Sequence, residues 1–255
     1  MQIAEILDRL ELLYPDNSIF SDLRKTLLSQ DKFALFRIIQ GLTGSQLIEG
    51  MRKYKDDDSF NADCFSRGQL QSKLWLVEEL EKTKVDLGTV FLCAGWYATL
   101  ATMLFESNIK IDKVRSFDID ESCVDIAETF NKPWFVDQWR FKSITQDIMD
   151  INYNEHVWQY WSNANNRMSY PITDSPGTII NTSCEHIENF QEWYDLIPDG
   201  KLVVLQSNNF FDVEEHVNCV GSIEEFVVKA PMHNILFSGK LNLPKYKRFM
   251  LIGYK

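Results

Sequence analysis

His233-Asn-Ile-Leu-Phe-Ser-Gly-Lys-Leu-Asn-Leu243 and Tyr246-Lys-Arg-Phe-Met-Leu-Ile-Gly-Tyr-Lys255 are two strand-like runs separated by a short link that contains Pro244. Strands joined that closely must run antiparallel. Upstream, from residue 88, short apolar runs alternate with helical stretches, which is the pattern of a mostly parallel sheet with helices on its faces. Strands are expected near Thr89–Ala94, Lys113–Phe117, Trp139–Ile144, Gly177–Asn181 and Lys201–Gln206. The helices between them are expected to start near Tyr97, Glu121, Ile187 and Ser222. A twisted α/β sheet that is parallel until a final antiparallel pair is therefore the expected architecture. A long connection, Asn152 to Asp174, rich in Trp, Tyr and Asn, separates the third and fourth strands. Connections of that length are more often functional than idle, so Trp158, Tyr160 and Trp161 are expected on the acceptor side of a cleft.

Ahead of this core, Ile3, Ile6, Leu7, Leu10 and Leu13, then Leu23, Leu27 and Leu28, then Phe33, Phe36 and Ile39 recur at helical spacing. They predict a helical cap or lid over residues 1–58, and the polar stretch Lys53-Tyr-Lys-Asp-Asp-Asp-Ser59 marks the border with a main domain over 59–255. Ser66 followed by Gln69, ahead of Leu70, Leu74, Val77 and Leu80, is a capping-box pattern that opens a further helix.

Composition narrows the function. The 255 residues carry 26 Lys plus Arg against 37 Asp plus Glu, a formal charge of −11, so tight binding to nucleic acid or anionic membranes is not expected. The opening Met-Gln-Ile-Ala-Glu-Ile-Leu-Asp-Arg-Leu interleaves charges with apolar residues and reads as neither signal peptide nor membrane span. A cytoplasmic location is expected. Cys64, Cys93, Cys123, Cys184 and Cys219 are scattered, which predicts structural thiols, and no metal-ligand cluster is expected.

In an open α/β sheet, ligands bind where the strands end in carboxyl-side loops. The first strand runs Val90-Phe-Leu-Cys-Ala94-Gly95-Trp96-Tyr97-Ala-Thr, with one glycine where a dinucleotide would need several for its pyrophosphate. Gly95 fits either a tight turn or a cofactor contact. Trp96 and Tyr97 offer aromatic faces to a sulfonium or an adenosine, and core packing explains them as well. The second strand ends Asp118-Ile119-Asp120: Asp118 is suited to two ribose hydroxyls, while Asp120 is nearer the helix start and suits capping. The third closes on Gln146-Asp147-Ile148. The fourth reads Ile179-Ile-Asn181-Thr-Ser-Cys-Glu185-His186, and Ile197-Pro-Asp-Gly200 introduces the fifth. His186 is either a proton acceptor or a helix-start histidine bonded to backbone, and Glu185 is suited to orient a substrate.

These segments, in this order and with the antiparallel end, resemble class I S-adenosylmethionine (SAM)-dependent methyltransferases of Rossmann-like fold. The Glu185-His186 pair, the Pro198-Asp-Gly200 turn and Glu215-His-Val-Asn218 are similar to small-molecule O-methyltransferases of ubiquinone biosynthesis. Pro198-Asp-Gly200 departs from the Pro-Gly-Gly type turn of that group. The resemblance spans residues 88–255. Phe65-Ser-Arg-Gly-Gln-Leu-Gln-Ser-Lys73 is similar to virus-encoded methyltransferase-like proteins, which implies a host cytoplasm. What the resemblance implies is SAM as cofactor, held by Ala94, Gly95, Trp96, Tyr97, Asp118, Ile119, Asp147, Ile148 and Asn181. Arg67 is either a partner for the SAM carboxylate or a solvated arginine. Methyl transfer to nitrogen or oxygen of a small molecule or protein is implied, with Glu185 and His186 on the acceptor side. A depleted glycine loop also fits a methyltransferase-like assembly protein without catalysis. A nicotinamide-dependent oxidoreductase fits neither the antiparallel end nor the poor phosphate loop.

Overall fold

The computed structural model describes residues 44–54, 60–162 and 165–255, and the chain divides into two compact units, Met1–Asn61 and Ala62–Lys255. In the first, the described part is helix α1, Gln46–Tyr54, with an Arg52–Glu49 ion pair and Tyr54 stacked on Phe60. The rest of the expected cap, residues 1–43 and 55–58, lies outside the described residues.

The second unit is built on one seven-stranded sheet. Its strands are β1 (Gly88–Cys93), β2 (Ile111–Asp118), β3 (Phe141–Thr145), β8 (Thr178–Asn181), β9 (Leu202–Asn208), β10 (Asn234–Asn242) and β11 (Lys247–Tyr254). The order is β10-β11-β9-β8-β1-β2-β3. Strands β1, β2, β3, β8 and β9 are parallel, whereas β11 runs antiparallel to both β9 and β10. The expected mostly parallel sheet with an antiparallel end is therefore the observed one. The expected third strand starts two residues later than its sequence suggests, because Gln138 and Trp139 both take left-handed backbone conformations that end the preceding turn.

The period of two along each strand divides the sheet into two faces. Helix α2 (Arg67–Thr83) lies on one of them: Ser66 caps it by accepting from Gln69 N at 3.3 Å, and Trp75 meets Phe237 edge-on at 5.9 Å. Only half of the capping box forms, since the Gln69 side chain accepts from Lys73 Nζ instead of reaching back. Helices α3 (Thr99–Glu106), α4 (Cys123–Phe130) and α5 (Lys132–Val136) follow β1 and β2. The opposite face carries the main core. There Phe91, Cys93, Phe117, Ile179, Val203, Leu205, Phe249 and Leu251 pack against α6 (Phe190–Leu196) and α7 (Ile223–Lys229). All five cysteines are free and buried, as expected of structural thiols.

The long connection forms two small antiparallel pairs, β4 (His156–Trp158) with β7 (Ile172–Asp174) and β5 (Trp161–Ser162) with β6 (Arg167–Met168). Among its described residues no α-helix occurs, and the β4–β7 pair covers the sheet where a crossover helix would lie. His156 stands edge-on to Phe117 and Phe91 at 5.0 and 6.0 Å. Trp158 is buried against the Arg115 guanidinium, and Tyr160 packs on Trp139, which precedes β3. Trp158 and Tyr160 thus sit toward the amino ends of the strands, not on the acceptor side of the carboxyl edge as the sequence suggested. Trp158 is buried, Tyr160 is half-buried against Trp139 and Trp158, and of the three only Trp161 is exposed.

Candidate functional site

The loops after β1, β2, β3 and β8 meet along the carboxyl edge. In the first, residues Ala94, Trp96 and Ala98 alternate in left-handed conformation, with φ of 51°, 50° and 50°. That backbone costs a residue with a Cβ roughly 1–2 kcal/mol, which is why glycine is the usual occupant. Gly95 is needed for a different reason. A Cβ there would stand 2.1 Å from Ser116 Oγ, so glycine lets the loop lie directly on β2. The loop therefore has the shape of a glycine-rich turn at three positions where the sequence shows no glycine.

Hydrogen bonds draw the edge together. Gly95 N donates to Phe117 O at 3.0 Å, Trp96 N to Asp118 Oδ2 at 2.7 Å, and Gln146 N to Asp118 O at 2.9 Å. Asp118 also accepts from Asp120 N through Oδ1 at 3.1 Å. A carboxylate offers about four acceptor sites, so two remain for a ligand. Asp120 accepts from Ser122 N and so shapes the turn ahead of α4, but it does not cap the helix as its position suggested: Ser122 is the N-cap, and no side chain bonds the first helical N–H groups. Ile119 is 73% exposed beside Asp118, an apolar surface open to a flat ring. Asp147 is exposed and uses Oδ1 on Met149 N, whereas Ile148 is packed into the core. Trp96 is half-buried and stacks on the buried Tyr97 at 4.7 Å. Arg67 opens α2, and its side chain lies outside the described residues.

Asn181 ends β8 opposite Cys93, fully buried, and its Nδ2 has no hydrogen-bond partner. Beyond it, Glu185 lies in a 3₁₀ turn, Cys184–His186, where its carboxylate is 3% exposed as a residue. Glu185 Oε1 accepts from Asn208 Nδ2 at 2.7 Å and pairs with Arg248 Nη1 at 2.5 Å, and Arg248 Nη2 donates to Thr182 O. Glu185 Oε2 and Arg248 Nε have no partner. His186 is exposed, outside this buried pair, and its Nδ1 lies 3.0 Å from Glu215 O.

Two residues stood in segments quoted from the sequence without a role of their own. Lys73, buried on α2, is pushed down to about 8 by burial, with Arg248 adding to the effect. Its signal in the sequence was its place one turn from Leu70, Leu76 and Val77 on the apolar side of the helix. His216 is the other: its ring stands edge-on to His186 at 4.7 Å. Asn218 brings it there, because Asn218 N donates to Glu185 O and Asn218 Nδ2 to Cys184 O.

No family model and no curated protein matches the sequence. Solved structures do. The N-methyltransferase NodS of Bradyrhizobium japonicum, crystallised with S-adenosylhomocysteine, superimposes with a TM-score of 0.54 at 10% identity, over 82% of this chain and 98% of NodS. This chain has the class I methyltransferase fold. The magnesium protoporphyrin IX methyltransferase of Synechocystis, also with S-adenosylhomocysteine, gives a TM-score of 0.52 at 14% identity, over 86% and 99% of the two chains. The [4+2]-cyclase SpnF also superimposes on this chain, with a TM-score of 0.51 at 9% identity, over 72% and 82% of the two chains. A cyclase on this fold means that the reaction must be argued from the site. No helix among the described residues is long and apolar enough to cross a membrane.

Proposed function

We propose that the chain is a SAM-dependent methyltransferase whose cofactor lies across the β1, β2 and β3 loops. The observation that carries this reading is Asp118: it sits at the end of β2 beside a left-handed loop, with acceptor capacity unspent and exposed Ile119 alongside. The edge fits an adenosine without a phosphate, since it presents carboxylates rather than a nest of glycine N–H groups. Asp118 would accept the ribose hydroxyls, Asp147 the adenine amino group, and Ile119 would cover the ring. Gly95 keeps the loop down on β2, and Trp96 and Tyr97 close its outer side. Ala94, Asn181 and the backbone of Ile148 complete the cofactor contacts, with Arg67 for the carboxylate.

SAM supplies a methyl group on a sulfonium, already activated. The protein then has to orient an acceptor nitrogen or oxygen in line with it and exclude water. Glu185 and His186, after β8, form the acceptor side. The acceptor is a small molecule or a protein, and the acidic surface disfavours nucleic acid. Calorimetry with S-adenosylhomocysteine and with NAD tests the reading. Binding of the former only, weakened at least about tenfold by Asp118→Ala, is the expected result, the size following from lost hydrogen bonds to a charged group. Failure to bind either nucleotide would remove the proposal. Transfer of label from SAM to a component of cell extract would then identify the acceptor.

A further inference from the structure

We infer that His156, on the insertion after β3, is a positioning residue for Asp118 and Asp147, a role that rests on the cofactor reading given above. His156 acts on the residue before each carboxylate. Its ring stands edge-on to Phe117 at 5.0 Å, and its Nε2 lies 2.9 Å from Gln146 Oε1. Gln146 in turn donates its backbone N–H to Asp118 O at 2.9 Å, so one imidazole and one glutamine tie the ends of β2 and β3 together.

The hydrogen bonds fix which atoms do this. Gln146 Nε2 donates to Asp150 O at 2.9 Å, which leaves Oε1 as the acceptor and makes His156 Nε2 the protonated nitrogen. Gln146 is thus held at its backbone and at both ends of its amide, while the next residue, Asp147, is exposed. Tyr153, also on the insertion, is a second strut: its buried hydroxyl donates to Ile148 O at 2.9 Å and accepts from Trp193 Nε1 at 2.7 Å. The insertion is itself anchored, because His156 is in register with Asp174, which pairs with Arg115 on β2 at 2.6 Å.

Core packing does not account for an imidazole here. His156 is 6% exposed, lies against Phe117 and Phe91, and leaves Nδ1 without a partner. A buried nitrogen without a hydrogen bond is a cost that a phenylalanine at the same place would not carry. What phenylalanine could not supply is the N–H donor to Gln146, and that bond leads to the loop of Asp147. The insertion therefore braces the carboxyl edge from its buried side, and leaves the exposed carboxylates to the ligand.

Calorimetry with S-adenosylhomocysteine, paired with hydrogen-exchange mass spectrometry of the unliganded full-length protein, tests this role. His156→Phe keeps the ring and deletes the donor, whereas His156→Gln keeps an amide donor of similar reach. The Phe variant should bind about threefold to tenfold more weakly, the worth of one hydrogen bond, and exchange faster over residues 145–150 with β9 and β11 unchanged. The Gln variant should recover affinity to within about twofold. Gln146→Leu deletes the same bond from a half-buried side chain and should match the Phe variant, which keeps the test open if the latter does not fold. Wild-type affinity in a folded His156→Phe or Gln146→Leu protein would overturn the role, as would equal losses in the Phe and Gln variants, the mark of general damage to the core. A wild type that binds no S-adenosylhomocysteine would remove the cofactor reading instead. Exchange over 145–150 then decides the brace alone, faster in the Phe variant if it exists and unchanged if it does not.

Discussion

Two buried ion pairs divide this molecule into a finished side and an open one. Arg115–Asp174 joins β2 to β7 at 2.6 Å, and Glu185–Arg248 joins the turn after β8 to β11 at 2.5 Å, all four side chains being nearly inaccessible. Around the first pair the donors and acceptors are matched. Asp174 accepts from Arg115, Lys113 and Trp158, and Arg115 donates also to Val114 O and Trp139 O. Two orphans lie near it, His156 Nδ1 and Ser116 Oγ of the residue that follows Arg115. Around the second, Asn181 Nδ2, Glu185 Oε2, Gln206 Oε1, Ser207 Oγ and Arg248 Nε are all buried without partners. Native interiors leave few such groups unpaired, so a concentration of them marks a place where water, an ion or a ligand supplies the partners. Equal burial therefore serves opposite ends: the first pair fastens an insertion onto the sheet, and the second keeps polar groups ready at its carboxyl edge.

Breaking the finished pair should produce the largest effect. Asp174→Ala leaves the Arg115 guanidinium buried without its carboxylate and is expected to cost about 3–5 kcal/mol, measured by urea denaturation. Burial alone would raise the Asp174 carboxyl, but the hydrogen bonds from Arg115 and Trp158 hold it below the ordinary aspartate value. A depressed carboxyl contributes stability that is present above its unfolded pKa and disappears as the pH falls through the folded one. The wild type should thus lose this contribution below about pH 4, while Asp174→Ala shows no such step.

Lys73 sharpens the comparison from the open side. Its ammonium is buried near Arg248 with Gln69 as hydrogen-bond acceptor, and it is pushed down to about 8 from 10.5. For a lysine depressed in the fold, the unfolded chain holds more protons between those two values, so the residue's penalty is relieved as pH rises through that window. The stability of wild type relative to Lys73→Met should climb by about 2–4 kcal/mol between pH 7 and 10.5. Thermal or urea midpoints of the two proteins across that range measure it. A flat difference would mean that Lys73 is solvated, and the open side less closed to water than its burial implies.

The division also explains what the sequence could disclose. The succession of strands along the chain and its antiparallel end were legible because short apolar runs and the Pro244 link are local signals, and Asp118 and Asp147 could be placed after strands. The insertion was not. Its strands are two and three residues long and are held by Arg115, a partner 59 positions from Asp174, so no local pattern encodes them. The Glu185-His186 pair could be read as neighbours, whereas His216 reaches them through bonds between two loops, from Asn218 to Glu185 O and Cys184 O and from His186 to Glu215 O. Likewise Gly95 fitted either a tight turn or a cofactor contact, while the left-handed positions fell on alanine and tryptophan, residues that carry no mark of that conformation.

Those positions give the smallest test. Ala94 holds φ 51° in the loop after β1 and is half-buried, so replacing it by glycine removes a strained Cβ with little loss of packing. Relief of roughly 1–2 kcal/mol in the folded chain is offset in part by the extra freedom glycine gives the unfolded one, about 0.5–1 kcal/mol. Ala94→Gly should therefore stabilise the protein by about 0.5–1 kcal/mol, read as a raised urea midpoint at unchanged slope. The same variant should keep its affinity for S-adenosylhomocysteine, because the backbone path that presents Trp96 N and Asp118 is retained. Loss of stability instead would mean that the loop does not hold the left-handed turn in solution, and that the open edge is not preformed.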